Sequence, residues 1–236
     1  MTLPLSLKTS SCVIQFMRPY VIMNAGMTLD GKIATRTGDS AISSKEDLER
    51  VHRMRESVDA IMVGINTVLA DDPRLSIHKI KTDKKNPLRV VVDSHGRTPL
   101  SARMFKEEGK TVVAVALKAD EEKVKGLREK AEVVVCGSEK VNLKCLMKKL
   151  YKMGVKRLLL EGGGNLNWGM LKEGLVDEVQ VALAPRIAGG KEAVSLVEGE
   201  GYATIAEGVK LKLKKHYPLG TDYIMEYLVV REDEDG

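Results

Sequence analysis

Runs of apolar and β-branched residues recur along the chain, and segments with helical spacing separate them. Because these runs are apolar almost throughout instead of alternating, they are expected to form strands covered on both faces. Strands that alternate with helices are typical of a mostly parallel sheet with helices on both sides, so the pattern predicts an α/β fold. The predicted strands are YVIMNAGM (20–27), DAIMVG (59–64), RVVVD (89–93), TVVAVAL (111–117), AEVVVC (131–136), VKRLLLE (155–161) and EVQVALAP (178–185).

The helical segments carry start and stop signals. Ser44, with Asp47 three residues later, predicts the start of a helix in SSKEDLERVHRMRES. Asp120 and Asn142 are expected to cap two further helices, the second of which ends at Gly154. A brief helix is predicted in NTVLADD and is stopped by the proline that follows it.

The C-terminal part has a different pattern. VKLKLKKHY (209–217) alternates and DYIMEYLVVRE (222–232) is largely apolar, on either side of the turn sequence PLGT. This predicts a terminal antiparallel hairpin. No repeat or low-complexity linker interrupts the chain, so residues 18–236 are expected to form one domain. Residues 1–17 are expected to be an N-terminal extension, disordered or a start-site artefact, because Lys8 and a Ser/Thr cluster break the apolar segment that a signal sequence needs.

Composition narrows the class of protein. The 236 residues carry a net charge of +5, but basic residues are scattered among acidic ones and only 4% of residues are aromatic. A nucleic-acid-binding surface is therefore not expected, whereas a mild positive excess suits small anions such as phosphates. No apolar run approaches the roughly 18–20 residues of a membrane span. Three cysteines without a CxxC pair indicate a reduced, cytoplasmic protein.

The segment LLLEGGGNLNW (158–168) places three consecutive glycines between a predicted strand and a helix that begins near Asn165. Glycine is the costliest residue to order, so the run needs a reason. Bare backbone and the positive end of a helix favour a phosphate there. A tight turn that binds nothing has the same sequence, and the run matches neither the GxGxxG fingerprint nor a P-loop. Both interpretations stay open.

Two more strands lead into polar segments, where open α/β sheets bind their ligands. After VVVD, Ser94, His95 and Arg97 suit a phosphomonoester such as the 2′-phosphate of NADP, with an ordinary polar loop as the alternative. In GINTVLADDPRL, Asp71 has Thr67 one turn earlier on the same helical face, which suits a ribose or an amide. A metal site and a simple helix stop are the other interpretations of that segment.

The segment AGMTLDGKIATRTGDSAIS offers Asp30 and Lys32 for proton transfer, or else forms a hairpin with routine turn residues. Arg55 binds an anionic substrate group or is a solvated helix charge.

The four histidines are far apart and no HxE, PCxxC or GxSxG signature occurs, so zinc and serine hydrolases are excluded and no metal is expected. What remains is chemistry carried by a bound cofactor and oriented by the protein.

Five motifs, in order, closely resemble those of the archaeal 2,5-diamino-6-(ribosylamino)-4(3H)-pyrimidinone 5′-phosphate reductases of riboflavin biosynthesis: MTLDGKIAT, DSAISS, VDAIMVGINTVLADDPRL, RVVVDSHGR and LLLEGGGNLNWGMLKEGLVDE. The resemblance runs from about Arg18 to the C-terminus. It implies a dihydrofolate-reductase-like fold, NADPH as hydride donor, a phosphorylated pyrimidine substrate and a homodimer. The ligands of the zinc deaminase domain found in bacterial bifunctional relatives are missing, so reduction alone is implied.

The resemblance also implies roles for matching positions. Cofactor contacts are implied for Thr67, Asp71, Asp93, Ser94, His95, Gly96, Gly162, Gly163, Gly164 and Asn165. Substrate contacts are implied for Ser40, Arg55, Leu75, His78 and Glu161. The family's reaction opens the ribosylamino sugar and reduces the resulting imine at the anomeric carbon. Asp30, Lys32 and Glu161 are the candidates for proton transfer or for hydrogen bonds to the sugar and pyrimidine.

Two other functions compete with this interpretation. A pterin reductase of the dihydrofolate type, on the same fold, would not need a phosphate-binding cation such as Arg55. A non-catalytic module that binds nucleotides or nucleic acid is suggested by the positive net charge. Nucleic-acid binding of that kind would weaken steeply as salt rises.

Overall fold

The apolar runs form strands of one nine-stranded sheet in this computed structural model, which describes residues 17–231. All seven runs predicted as buried strands are strands, so that prediction is confirmed. Strands β2 and β9 form a separate two-stranded sheet. In chain order the strands are β1 (Tyr20–Thr28), β2 (Lys32–Ala34), β3 (Ala60–Gly64), β4 (Leu88–Val92), β5 (Thr111–Val115), β6 (Glu132–Val135), β7 (Arg157–Leu160), β8 (Glu178–Ala184), β9 (Val194–Ser195), β10 (Leu211–Leu219) and β11 (Asp222–Val229).

The order of strands across the main sheet is β10-β11-β8-β1-β7-β3-β4-β5-β6. The strands from β8 to β6 in this order are all parallel to their neighbours. The hairpin of β10 and β11 is antiparallel and pairs with β8 through β11. Both the mostly parallel sheet and the terminal antiparallel hairpin are therefore confirmed. Because parallel strands run in one direction, their carboxyl ends meet at one edge of the sheet.

The helices connect these strands. Within residues 17–231 they are α1 (Lys45–Glu56), α2 (Ile65–Asp71), α3 (Glu121–Arg128), α4 (Leu143–Lys152) and α5 (Gly164–Lys172), with 3₁₀ turns at Arg103–Lys106 and Ile205–Glu207. The predicted caps are confirmed, since the side chains of Ser44, Asp120 and Asn142 each accept the N–H of the residue three positions later. None of the described helices is both long and apolar enough to cross a membrane.

The capping box predicted for α1 is only half formed. Ser44 Oγ accepts the N–H of Asp47 at 3.2 Å, but the Asp47 carboxylate accepts from Arg50 Nε at 2.8 Å. The N–H of Ser44 donates instead to Oδ2 of the buried Asp222 at 2.9 Å. The start of α1 is thereby attached to the C-terminal hairpin.

Helices cover both faces of the sheet, as predicted. On one face α4 and α5 contribute Leu146, Leu150 and Met170 to a core that they share with alternate residues of the central strands, such as Met62 and Leu160. On the other face α2 and α3 pack through Val68 and Leu127. The extension predicted for residues 1–17 lies, apart from its last residue, outside the described residues.

Candidate active site

A cleft of about 920 Å³ opens at the edge of the sheet where the parallel strands end. Its walls come from the middle of β1 and from residues at or after the ends of β3, β4 and β7, together with α2 and the start of α5. Ligands of open α/β folds bind at this edge. The cleft is lined by ten of the residues predicted from the sequence to contact cofactor or substrate: Ser40, Thr67, Asp71, Ser94, Arg97, Glu161, Gly162, Gly163, Gly164 and Asn165.

The glycine run forms a tight link between β7 and α5. Gly162 has a φ of +88°, a conformation that L side chains rarely adopt. A Cβ on Gly164 would come within 2.6 Å of the carbonyl oxygen of Ser195, so close packing also requires glycine there. Because α5 starts at Gly164, the N–H groups of its first turn have no acceptor inside the helix. Together with the positive helix end they form a favourable place for an anion.

Helix α2 connects the glycine run with Ser40. Thr67 Oγ1 accepts the N–H of Gly163 at 3.1 Å, and Asp71 Oδ1 accepts a hydrogen bond from Ser40 Oγ at 3.2 Å. The spacing of one turn places both side chains on the cleft. Desolvation raises the pKa of Asp71, and the hydrogen bond from Ser40 opposes this only in part. The cleft therefore contains a carboxyl group that holds a proton more readily than an ordinary aspartate does.

The segments after β4 and β6 bring two cations to the cleft. Arg97 Nη2 donates to Asn66 Oδ1 at 3.2 Å, and Ser94 Oγ accepts the N–H of Val141 at 3.0 Å. Lys140, which precedes Val141, also lines the cleft and was not predicted. Lys140 could have been predicted from the sequence, because it follows a predicted strand and ligands bind near the carboxyl ends of such strands. Two cations and a hydroxyl are suited to a phosphomonoester.

Glu161 and Arg55 form a bidentate ion pair at the cleft. Arg55 Nε and Nη2 each donate to a Glu161 oxygen at 2.7 Å, and Nη1 donates to the carbonyl oxygen of Ser76 at 2.9 Å. Their side chains are 11% and 12% exposed. Burial lowers the pKa of Arg55, but the charge and hydrogen bonds of Glu161 outweigh it and leave the pKa raised. Glu161 lines the cleft and Arg55 does not. The anionic partner of Arg55 in the structure is Glu161, and a contact between Arg55 and a substrate anion stays a prediction.

Asp30 and Lys32 lie outside the cleft wall. Asp30 accepts hydrogen bonds from Thr28 Oγ1 at 2.6 Å and from the two N–H groups of residues 188–189 at 3.0 and 2.7 Å. These bonds, the one from Thr28 foremost, lower the pKa of Asp30 to about 2, so it stays ionised at neutral pH. Lys32 Nζ donates to Ser195 Oγ at 2.9 Å. Both predicted proton carriers therefore have structural partners and are not brought to the cleft wall.

Two predicted substrate contacts are also absent from the cleft wall, Leu75 and His78. Leu75 is 1% exposed and packs in the core beside α2 and α3. The His78 ring packs edge-on against the buried His52, with the ring centres 4.5 Å apart. These two residues support the loop behind Arg55, whose guanidinium bonds to Ser76 between them.

Three predicted cofactor contacts after β4 are likewise absent from the wall: Asp93, His95 and Gly96. Asp93 Oδ2 accepts both the N–H and the Oγ1–H of Thr98 at 2.7 Å. Gly96 has a φ of +68° and closes the turn, while His95 is exposed. Asp93 and Gly96 thus shape the loop that presents Ser94 and Arg97 to the cleft.

The cleft wall contains further polar residues that the sequence analysis did not single out: Asn24, Asn66, Asn167 and Glu198. Asn24 is 5% exposed within an apolar strand and Asn167 is fully buried. A buried amide is costly unless it is hydrogen-bonded. A polar residue inside an apolar run, such as Asn24, could therefore have been identified from the sequence as a candidate site residue. Within residues 17–231 no group of three or more His, Cys, Asp or Glu side chains is arranged as a metal site.

The sequence matches known proteins over most of its length. The sequence profile of the RibD C-terminal domain matches residues 19–225. The chain is 56% identical over 214 residues to the 2,5-diamino-6-ribosylamino-4(3H)-pyrimidinone 5′-phosphate reductase of Methanothermobacter thermautotrophicus, covering 90% of this chain and 99% of the relative. It is 45% identical over 195 residues to the protein of the same name from Archaeoglobus fulgidus, covering 79% and 89%.

Solved structures share the fold. Acinetobacter baumannii RibD matches with a TM-score of 0.77 and 26% identity, covering 90% of this chain and 58% of that chain, so this protein spans less than two thirds of it. The riboflavin biosynthesis reductase Rib7 of Saccharomyces cerevisiae matches with a TM-score of 0.68 at 17% identity, covering 90% of both chains. The chain therefore belongs to the RibD C-terminal domain family, the reductases of riboflavin biosynthesis.

Proposed function

We propose that this reductase converts 2,5-diamino-6-(ribosylamino)-4(3H)-pyrimidinone 5′-phosphate to its ribitylamino product, with NADPH as the hydride donor. The observation that carries the proposal is the convergence of separate sequence motifs on one cleft at the carboxyl edge of the sheet. The name of the archaeal relative, 56% identical over 214 residues, supports this substrate. NADPH follows from the resemblance of the motifs to that family.

The residues of the cleft fit NADPH in three places. The N–H groups at the start of α5 suit a pyrophosphate. Ser94, Arg97 and Lys140 suit the 2′-phosphate that distinguishes NADPH from NADH. Thr67 and Asp71 on α2 suit hydroxyl or amide groups of the nicotinamide half. The volume of about 920 Å³ lies in the upper part of the range for ligand pockets.

NADPH, when bound, supplies a hydride to the anomeric carbon of the ring-opened imine, while the imine nitrogen takes up a proton. The task of the protein is to hold that carbon in reacting geometry, about 3–3.5 Å from the donor. Glu161, held by two bonds from Arg55, orients the substrate by accepting its N–H or O–H groups. In this proposal Arg55 positions Glu161, and the substrate phosphate binds elsewhere.

The proton for the imine nitrogen has several candidate carriers. Asp71 lines the cleft and has a raised pKa, which suits a proton donor. Transfer through Asp30 or Lys32 stays a prediction and requires a path to the cleft from their positions outside its wall.

A homodimer and a cytoplasmic location are part of the same proposal. The β10–β11 hairpin ends the sheet and exposes Leu211 and Leu213 by 44% and 48%. Exposed apolar side chains on an edge hairpin are typical of a surface that pairs with a second copy. Cys136 and Cys145 are free thiols, which agrees with a reducing compartment.

Parallel assays of two substrates test the function. The purified protein is mixed with NADPH and either the ribosylaminopyrimidinone phosphate or dihydrofolate, and the loss of NADPH absorbance is followed. We expect kcat/KM for the pyrimidinone phosphate to exceed that for dihydrofolate by at least about a hundredfold, because a site built to hydrogen-bond one substrate rejects others strongly.

The competing functions predict different results in this experiment. Turnover of dihydrofolate alone would show a pterin reductase, although the two archaeal relatives are named for the pyrimidinone phosphate. Tight RNA binding that weakens steeply with salt, without NADPH turnover, would show a nucleic-acid-binding module.

A further inference from the structure

Asn24 is a polar residue inside the apolar strand β1, where it is 5% exposed and lines the cleft. It lies directly opposite Gln180 of β8. On the other side, β1 pairs with β7 in a register that aligns Met23 with Leu160. Glu161 directly follows Leu160, the last residue of β7, so Asn24, in the middle of β1, and Glu161 occupy neighbouring positions in adjacent segments of the sheet.

A guanidinium fixes the orientation of the Asn24 amide. Arg50 Nη2 donates to Asn24 Oδ1 at 2.8 Å, Nη1 donates to Gln180 Oε1 at 3.1 Å, and Nε donates to Asp47 Oδ1 at 2.8 Å. Because a guanidinium only donates, the oxygen of Asn24 faces Arg50 and the amide nitrogen points the other way. No acceptor in the described part of the chain takes up the N–H groups of that nitrogen. Asn24 thus has an oriented and unused donor.

We propose that Asn24 is a substrate-recognition residue whose amide nitrogen donates to the ring carbonyl of the pyrimidinone, with Arg50 as the residue that positions it. The inference rests on the function proposed above. Beside the Asn24 donor, Glu161 is an acceptor held by Arg55. A donor next to an acceptor is complementary to the lactam edge of a pyrimidinone, where an N–H stands beside a carbonyl.

The spacing of the two side chains suits a single ring. Adjacent strands lie about 4.8 Å apart, so residues at neighbouring positions can contact one planar group. A site with oriented polar groups discriminates strongly, since a wrong ring leaves those groups unpaired. The pair therefore selects a pyrimidine that carries a carbonyl over one that carries an amino group at the same position.

The substitution Asn24→Asp tests the inference with little change in shape. The remaining carboxylate oxygen keeps the bond to Arg50, whereas the amide donor is replaced by an acceptor that repels the ring carbonyl. We expect KM for the pyrimidinone phosphate to rise at least about tenfold, the typical effect of leaving a buried polar group unpaired. We expect the dissociation constant for NADPH to stay at its wild-type value, because the cofactor half of the cleft is untouched.

Two further variants separate recognition from structure. Gln180→Met removes another partner of Arg50 outside the cleft wall, and we expect its KM to stay within about twofold of wild type. Arg50→Lys replaces the planar guanidinium that orients the Asn24 amide by a single ammonium group. We expect KM to rise at least about threefold at nearly constant kcat. The Arg50 variant provides the test if Asn24→Asp does not fold.

The outcomes distinguish this inference from the proposed function. A wild-type protein that does not reduce the pyrimidinone phosphate overturns both. A wild-type protein that does reduce it, together with an unchanged KM in soluble Asn24→Asp or Arg50→Lys, overturns the role of Asn24 alone. An equal rise of KM in Gln180→Met, or an equal weakening of NADPH, overturns it as well, because the effect would then be structural.

Discussion

Polar side chains around the cleft are buried beside partners that were brought together from distant parts of the sequence. Glu161 is held by Arg55, and Asn24 is held by Arg50. His52, 2% exposed, accepts the N–H of His78 at 3.1 Å through Nδ1. A buried ion pair adds little net stability, but removal of one partner is costly. We therefore infer that these contacts hold polar groups at fixed positions and add little to the net stability of the fold.

Replacing Arg55 by methionine should destabilise the protein strongly. The change leaves the Glu161 carboxylate, 12% exposed, without its bidentate partner. We expect the free energy of unfolding to fall by about 3–5 kcal/mol, measured by urea denaturation. Lys172→Met is the control, because its ion pair with Glu200 is exposed and its loss should not change the unfolding curve measurably. Equal stability of Arg55→Met and wild type would contradict the account.

His52 should make the stability depend on pH. Desolvation, followed by the charges of Arg55, His78 and Lys79, lowers its pKa from 6.5 to about 3. Between these values the unfolded chain binds a proton that the folded protein does not, so stability rises with pH across this window and is lost as pH falls. The expected slope is about 1.4 kcal/mol per pH unit.

The substitution His52→Asn isolates this contribution, because the asparagine oxygen can replace Nδ1 as acceptor but does not titrate. Urea denaturation of both proteins between pH 4 and 7 should show a shallower dependence in the variant, by about one proton. Parallel curves for the two proteins would show that folding does not lower the pKa of His52, and would contradict this prediction.

The cations of the cleft should determine the choice between NADPH and NADH. Replacing Ser94 and Arg97 together by alanine, or Lys140 by alanine, removes partners of the proposed 2′-phosphate. We expect the dissociation constant for NADPH to rise at least about tenfold, and that for NADH to change far less, since charge-assisted hydrogen bonds are the strong ones. Lys144→Ala, on α4 outside this cleft, is the control. Equal losses for both cofactors would place the phosphate elsewhere.

At the scale of elements, helix α1 carries the groups that position the substrate half of the cleft. Arg50 and Arg55 lie on this one helix and hold Asn24 and Glu161, respectively. Its start is attached to β11 through the bond from the N–H of Ser44 to Asp222. The position of the helix therefore decides the orientation of two polar groups in the cleft.

The N-cap of α1 should contribute measurably to stability. Ser44→Ala removes the oxygen that accepts the N–H of Asp47. We expect a loss of about 1 kcal/mol in the free energy of unfolding, the usual value for such a cap. Ser57→Ala, at the exposed opposite end of the helix, should change it by less than about 0.5 kcal/mol. If both serines had equal effects, the cap would not be the cause.

Local pattern was sufficient to predict the α-helices and the strands of the main sheet. The apolar runs became β1, β3 to β8 and β11 because strands buried on both faces need apolar residues at every position. The caps at Asp120 and Asn142 were correct because capping depends on the few residues around a helix start. The reciprocal capping box predicted at Ser44 was incomplete, because the Asp47 side chain accepts a hydrogen bond from Arg50 instead of from the N–H of Ser44.

The site was predictable only in part. Thr67, Ser94 and Gly163 come shortly after the ends of parallel strands, and they line the cleft, as expected for an open α/β sheet. The partner of Arg55 was not predictable, because Glu161 is 106 residues away in the sequence and meets it only through the order of strands. The partners of Asp30 at residues 188–189 were not predictable for the same reason, since they follow β8.

At the scale of the whole molecule, the strand order assembles the cleft. Strand β7 lies between β1 and β3, so the glycine run that follows it stands between Asn24 on one side and α2 on the other. Residues from 24 to 200 thereby contribute to a single cavity. This arrangement places the proposed cofactor groups beside the proposed substrate groups, as direct hydride transfer requires.

Transfer of deuterium from the cofactor to the product tests whether the cleft supports direct hydride transfer. The wild-type protein is incubated with the ribosylaminopyrimidinone phosphate and NADPH deuterated at both positions of nicotinamide C4, and the product is examined by mass spectrometry and NMR. We expect a ribitylamino product that carries one deuterium on the carbon bonded to the amino nitrogen. A product without deuterium, or no consumption of the cofactor with this substrate, would contradict it.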